Sequence, residues 1–73
     1  MKLPRASGKQ TVDALLGAGF SVHRTRGSHY LLKHPETGRR VTIPYHRREL
    51  APKTLRSILK QAGVSAEAFA KLL

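Results

Sequence analysis

Apolar positions recur in this chain with two different periods, and the switches between them divide it into six short elements. Val12, Leu15, Leu16 and Gly19 fall at i, i+3, i+4 and i+7, which is one narrow helical stripe. Ser7 followed three residues on by Gln10 has capping-box spacing, in which hydroxyl and amide satisfy free N-terminal amides reciprocally. This predicts a helix over residues 8–18, with Gly19 placed to end it as a left-handed cap. The period then drops to two. Phe20 and Val22 alternate with Ser21 and His23, the run turns basic at Arg24 and Arg26, and Gly27 stops it. Residues 28–34 form a second strand, Pro35-Glu36-Thr37-Gly38 a turn, and residues 39–43 a third strand of clean alternation.

Pro44 ends the pairing, and residues 44–51 have no period and read as a loop long enough to reach a site. Pro52 sits at a first helical position, followed by Leu55, Ile58, Leu59 and Ala62 at helical spacing, with Gly63 beyond. Ser65 can cap a short last helix, with Glu67 near its positive end and Phe69, Leu72 and Leu73 as its apolar face. Residues 1–6 are expected to be a loose leader. The predicted architecture is α+β: a three-stranded antiparallel meander with two helices on one face and the other face open to solvent. Function is expected on that open face or its rim. In the second strand Tyr30 and Leu32 should face the helices, and His29, Leu31 and Lys33 the open side, unless a bulge shifts them. Leu31 would then be an apolar residue within a basic face, which suits cover by a protein partner.

Length and composition restrict the function classes. Seventy-three residues allow one domain, 1–73, since chains this short bury only roughly 60% of their unfolded surface. At 40% hydrophobic the chain has enough apolar surface to fold, unlike a disordered basic tail. It lacks cysteine, so there is no disulfide framework, Cys-based zinc site or thiol nucleophile. No apolar run approaches the roughly 18 residues of a membrane span, and Met1 to Gly8 has no signal-like apolar stretch, so a cytoplasmic protein without membrane contact is expected. Fourteen Lys or Arg against four Asp or Glu give a net charge of +10, which predicts a polyanionic partner.

Few chemistries suit these side chains. His23, His29, His34 and His46 form no helical HxxxH pair and have only Glu36 and Glu49 near them in sequence, so no metal site is expected. Gly27-Ser28 is too short for a phosphate loop, and Ser28 beside His29 is a poor nucleophile-base pair because neighbouring strand residues point to opposite faces. Cleavage of RNA asks for less: a base for the 2′-hydroxyl proton, an acid for the leaving oxygen, and cations for the charge gathering on phosphorus. Histidine can fill either proton role and arginine offers forked donors to phosphate. His23 and His34 read as solvated surface polarity. His29 stands out by position, directly after a turn and among Arg24, Arg26 and Lys33. The Lys53, Arg56 and Lys60 stripe reads as a solvated helix face, with RNA contact near Lys53 as the alternative.

Three stretches in order, Arg24-Thr25-Arg26-Gly27-Ser28-His29-Tyr30, His34-Pro35-Glu36-Thr37-Gly38-Arg39 and Leu55-Arg56-Ser57-Ile58-Leu59-Lys60-Gln61-Ala62-Gly63, resemble the HicA toxin family of bacterial toxin–antitoxin modules. The likeness covers nearly the whole chain and takes in Ser7-Gly8-Lys9, Ala18-Gly19-Phe20 and Ile43-Pro44-Tyr45-His46. It implies a double-stranded-RNA-binding-domain-like fold and a ribosome-independent mRNA interferase, neutralised by a HicB-like antitoxin encoded beside it. The active-site histidine implied is His29, with Gly27 and Ser28 setting its turn. Arg24, Arg26, Lys33 and Arg39 are basic as the family pattern has them and are assigned to RNA phosphate. His46 fits the family's loop as either a second proton-transfer group or, the favoured reading, a loop-fixing hydrogen bond. The expected protein is therefore a toxin that cleaves mRNA as a metal-independent endoribonuclease, with no cofactor. A non-catalytic double-stranded-RNA-binding module is the alternative, and an interaction domain for an acidic protein ranks third.

Overall fold

The computed structural model describes residues 3–73. Its elements run α1 (Gly8–Gly17), β1 (Ser21–Arg26), β2 (His29–Lys33), β3 (Arg40–Pro44), α2 (Pro52–Ala62) and α3 (Ala66–Leu72). The strands form one antiparallel sheet in the order β1-β2-β3, with the helices against one face. This is the expected α+β, double-stranded-RNA-binding-domain-like arrangement. Among the described residues no helix is long and apolar enough to cross a membrane.

The caps form as their spacing predicts. Ser7 Oγ accepts from the Gln10 N–H at 3.1 Å, and Gln10 Oε1 accepts from the Ser7 N–H at 2.9 Å. The buried face of α1, however, is not the predicted stripe. Gly8, Thr11, Val12 and Leu15 hold the i, i+3, i+4, i+7 positions that face the core, together with Ala14, while Leu16 is 40% exposed. Hydropathy missed this face because two of its members are a glycine and a threonine. Thr11 can be fully buried since its hydroxyl donates to the Ser7 carbonyl at 2.8 Å.

In α2 the expected face is the observed one: Leu55, Ile58, Leu59 and Ala62 are buried, and Gly63 ends the helix in the left-handed region. Ser65 caps α3 by accepting from the Ala68 N–H at 3.0 Å. Phe69 is buried completely, but Leu72 and Leu73 remain exposed, so one aromatic ring anchors the last helix. The expected loose leader lies partly outside the described residues. Within them Ala6 is buried, and its carbonyl accepts the Leu50 N–H at 2.8 Å, so the chain is already tied down there.

Leu15, Leu32, Val41, Ile43, Leu55 and Phe69 fill the centre. Each large side chain buried this way contributes about 1.5–3 kcal/mol relative to exposure. Both α1 and α2 lie over β3, and all six residues of β1 are exposed. The sheet therefore has a covered half and a bare edge strand.

Candidate nucleic-acid interface

Cross-strand pairing sorts the sheet residues by face, since directly opposed residues project to the same side. Leu32 pairs with Val41 and Tyr30 with Ile43, which is the helix-covered side. The open side consists of three rows: Arg26, His29 and Pro44; Arg24, Leu31 and Thr42; Ser21, Lys33 and Arg40. It holds four cationic side chains, one imidazole and no acid.

Two local devices create this arrangement. Gly27 and Ser28 are a two-residue hairpin loop that sets Arg26 opposite His29. Gly27 has φ +59° and Ser28 has no positive φ, the sign pattern of a type II′ turn, which wants glycine first. A Cβ on Gly27 would touch nothing within 4 Å, so the requirement is one of backbone conformation. The second device is a bulge at His23: Val22 pairs with Leu32 but Arg24 with Leu31. The extra residue places Val22 on the helix side while Arg24 and Arg26 both project from the open side, although Val22 and Arg24 are two apart. The irregularity that could have shifted β2 thus lies in β1.

The end of the sheet that carries His29 is held from behind. The Tyr45 N–H, one residue past β3, donates to the Ser28 carbonyl, and its ring stacks on Tyr30 at 4.2 Å and 11°. The Lys9 N–H donates to the His46 carbonyl at 3.0 Å, so α1 begins against the same loop. Gly8 makes this possible, because a Cβ there would overlap the Pro44 carbonyl oxygen. Lys9 also bonds Asp13 at 2.9 Å, and that hydrogen bond first, then the carboxylate's charge, raises the ammonium above its ordinary pKa. It is the only ion pair among the described residues, so the arginines of the open face are unpaired.

The remaining predicted residues divide. His46 follows Tyr45 at the His29 end of the sheet; its side chain is exposed and its carbonyl is the group that fixes the loop. Lys33 lies on the open face, at the far row. Arg39 is not on that face: its guanidinium donates to the Gln61 carbonyl at 3.4 Å and packs over Gly63 at the end of α2. His34 is more than surface polarity, since its Nδ1 accepts from the N–H groups of Glu36 and Thr37. Lys53, Arg56 and Lys60 are exposed on α2. Among the described residues no three His, Asp or Glu side chains gather as a metal site. Sequence reasoning passed over Gly8 and Tyr45, whose roles rest on contacts with residues about 35 and 15 positions away, as read from the Gly8–Pro44 and Tyr30–Tyr45 pairs.

An exposed imidazole opposite one unpaired guanidinium and one row from another can exchange a proton beside a bound phosphate. No curated protein matches the chain in sequence. The family model for the HicA toxin of bacterial toxin–antitoxin systems matches residues 8–64, from the glycine that abuts Pro44 to the residue after the α2 cap. That span contains the capped helix, the sheet, the His29 turn and the second helix, and the chain belongs to the HicA toxin family.

Proposed function

We propose that this toxin is an mRNA interferase, a metal-independent endoribonuclease whose proton-transfer residue is His29. What supports this most is the row Arg26–His29: one exposed imidazole set opposite a guanidinium, on a face without a carboxylate. In the reaction the 2′-hydroxyl oxygen attacks the adjacent phosphorus and its proton passes to a ring nitrogen of His29. The bond from phosphorus to the 5′-oxygen breaks, and that oxygen takes up a proton from water. The products are a 2′,3′-cyclic phosphate and a 5′-hydroxyl end. Arg26 and Arg24 hold the phosphate and the charge that builds on it, and Lys33 extends the cationic track.

Tyr30 and Tyr45 stack on each other toward the helix side, so the open face offers bases no aromatic platform. Binding is therefore led by the RNA backbone, with loose sequence preference. The partner that the family implies, a HicB-like antitoxin, neutralises the toxin. The deciding assay compares the purified protein with His29→Ala on a defined RNA at low salt. The variant should lose cleavage by about 100-fold or more while still binding. Equal cleavage by both proteins removes His29 from the chemistry, and cleavage by neither leaves the non-catalytic RNA-binding module. Loss of cleavage in EDTA would speak against a metal-independent reaction.

A further inference from the structure

His29 is exposed, and an exposed residue directly after a hairpin turn is ordinarily free to move. Its neighbours on both sides are nevertheless gripped by a single residue. Tyr45 holds Ser28, the residue before His29, through a main-chain hydrogen bond, and holds Tyr30, the residue after it, through a near-parallel ring stack. Tyr45 itself is anchored: Gly8 abuts the carbonyl of Pro44 before it, and the Lys9 N–H bonds the carbonyl of His46 after it. The start of α1, the end of β3 and the start of β2 are thus joined at one point, and that point brackets the imidazole. Pro44, next to Tyr45, is also the cross-strand partner of His29.

We propose that Tyr45 is a positioning residue for His29, acting through its main-chain N–H and the face of its ring and not through its hydroxyl. The proposal rests on His29 being the proton-transfer group. A stacked ring needs no hydroxyl, so Tyr45→Phe should keep the clamp. Tyr45→Leu preserves apolar bulk but cannot stack, and Tyr45→Ala removes both.

The test measures kcat and KM on a defined RNA for Tyr45→Phe, Tyr45→Leu and Tyr45→Ala, with backbone NMR order parameters at Ser28, His29 and Tyr30. Tyr45→Phe should stay within about twofold of the parent in kcat, whereas Tyr45→Leu should fall about 10- to 100-fold, with KM changed less than about threefold. In Tyr45→Leu the order parameters at residues 28–30 should drop from the rigid range near about 0.85 toward about 0.6, with the core strands unchanged. If Tyr45→Ala does not fold, Tyr45→Leu carries the comparison alone. A Tyr45→Phe variant as impaired as Tyr45→Leu assigns the effect to the hydroxyl and overturns the proposal. So does a Tyr45→Leu variant with unchanged kcat and order. If His29→Ala cleaves normally, the assignment of His29 fails, and the order parameters still decide whether Tyr45 fixes that segment.

Discussion

Strand β2 opens on one histidine and is followed by another, and the two ends of the strand treat the same side chain in opposite ways. At the far end, His34 Nδ1 accepts from the Glu36 N–H at 3.2 Å and the Thr37 N–H at 3.3 Å. Its ring meets Phe20 edge-on, with centroids 5.1 Å apart, and lies against Gly19. At the near end, His29 is exposed, and no side-chain hydrogen bond among the described residues involves it. The fold has used one imidazole to close a turn and left the other uncommitted, with unpaired cations beside it. An imidazole with both nitrogens free of protein bonds can take up a proton, whereas in His34 the accepting nitrogen Nδ1 is already used by two backbone N–H groups, which leaves Nε2 as the proton-bearing atom and no free lone pair to act as a base.

Exchanging the damage between these two ends is the strongest way to break the comparison. His29→Ala should cost about 100-fold or more in cleavage, yet change stability by no more than about 0.5 kcal/mol, as read by urea unfolding. His34→Ala should do the reverse, losing about 1–2 kcal/mol through the turn bonds and the aromatic contact, while the folded protein keeps its RNA cleavage. If His34→Ala abolishes cleavage at a temperature where circular dichroism shows it folded, the division between the two ends is mistaken.

A smaller effect separates the backbone of the Gly27-Ser28 turn from the side chain that follows it. Gly27→Ala must hold an L-residue at positive φ, and should lower stability by about 1 kcal/mol while also lowering kcat through displacement of His29. Thermal unfolding and single-turnover cleavage on the same preparation check both parts.

The smallest contrast concerns the arginines. Replacing Arg24 and Arg26 by Gln should reduce the salt dependence of RNA binding by about 1.4 in log–log slope, from about 0.7 per phosphate contact on a single strand. Arg39→Gln should leave that slope unchanged and instead loosen the end of α2, by about 0.5 kcal/mol. Titrations of a fluorescent RNA at several salt concentrations distinguish them.

What could be read from residues alone follows the range of the interactions involved. Capping pairs, the face of α2 and the alternation in β3 depend on residues within a turn or two, and Ser7–Gln10 and Leu55–Ile58–Leu59–Ala62 appear where their spacing puts them. The buried face of α1 was misread at Leu16 because Thr11 becomes a core residue only once its hydroxyl finds the Ser7 carbonyl. The charge of Arg39 carries no direction in the sequence, and its docking on Gln61 is a contact across 22 positions. The position of His29 directly after the Gly27-Ser28 turn was legible in the residues. The device that steadies it was not, since Tyr45 reads as an ordinary loop aromatic until β3 is laid beside β2.

The displaced residue in β1 also shapes the outer edge of the sheet. β1 is an outer strand exposed on both faces, with a row of backbone groups available to any passing strand. Offsetting the ladder at His23 spoils the regular spacing that a second copy would need to zip onto it, and the arginines that follow add repulsion between like surfaces. Removing His23 would leave every other pair in place and both faces unchanged, but would straighten that edge into a template. The extra residue in β1 is thus what keeps that edge irregular as well as cationic.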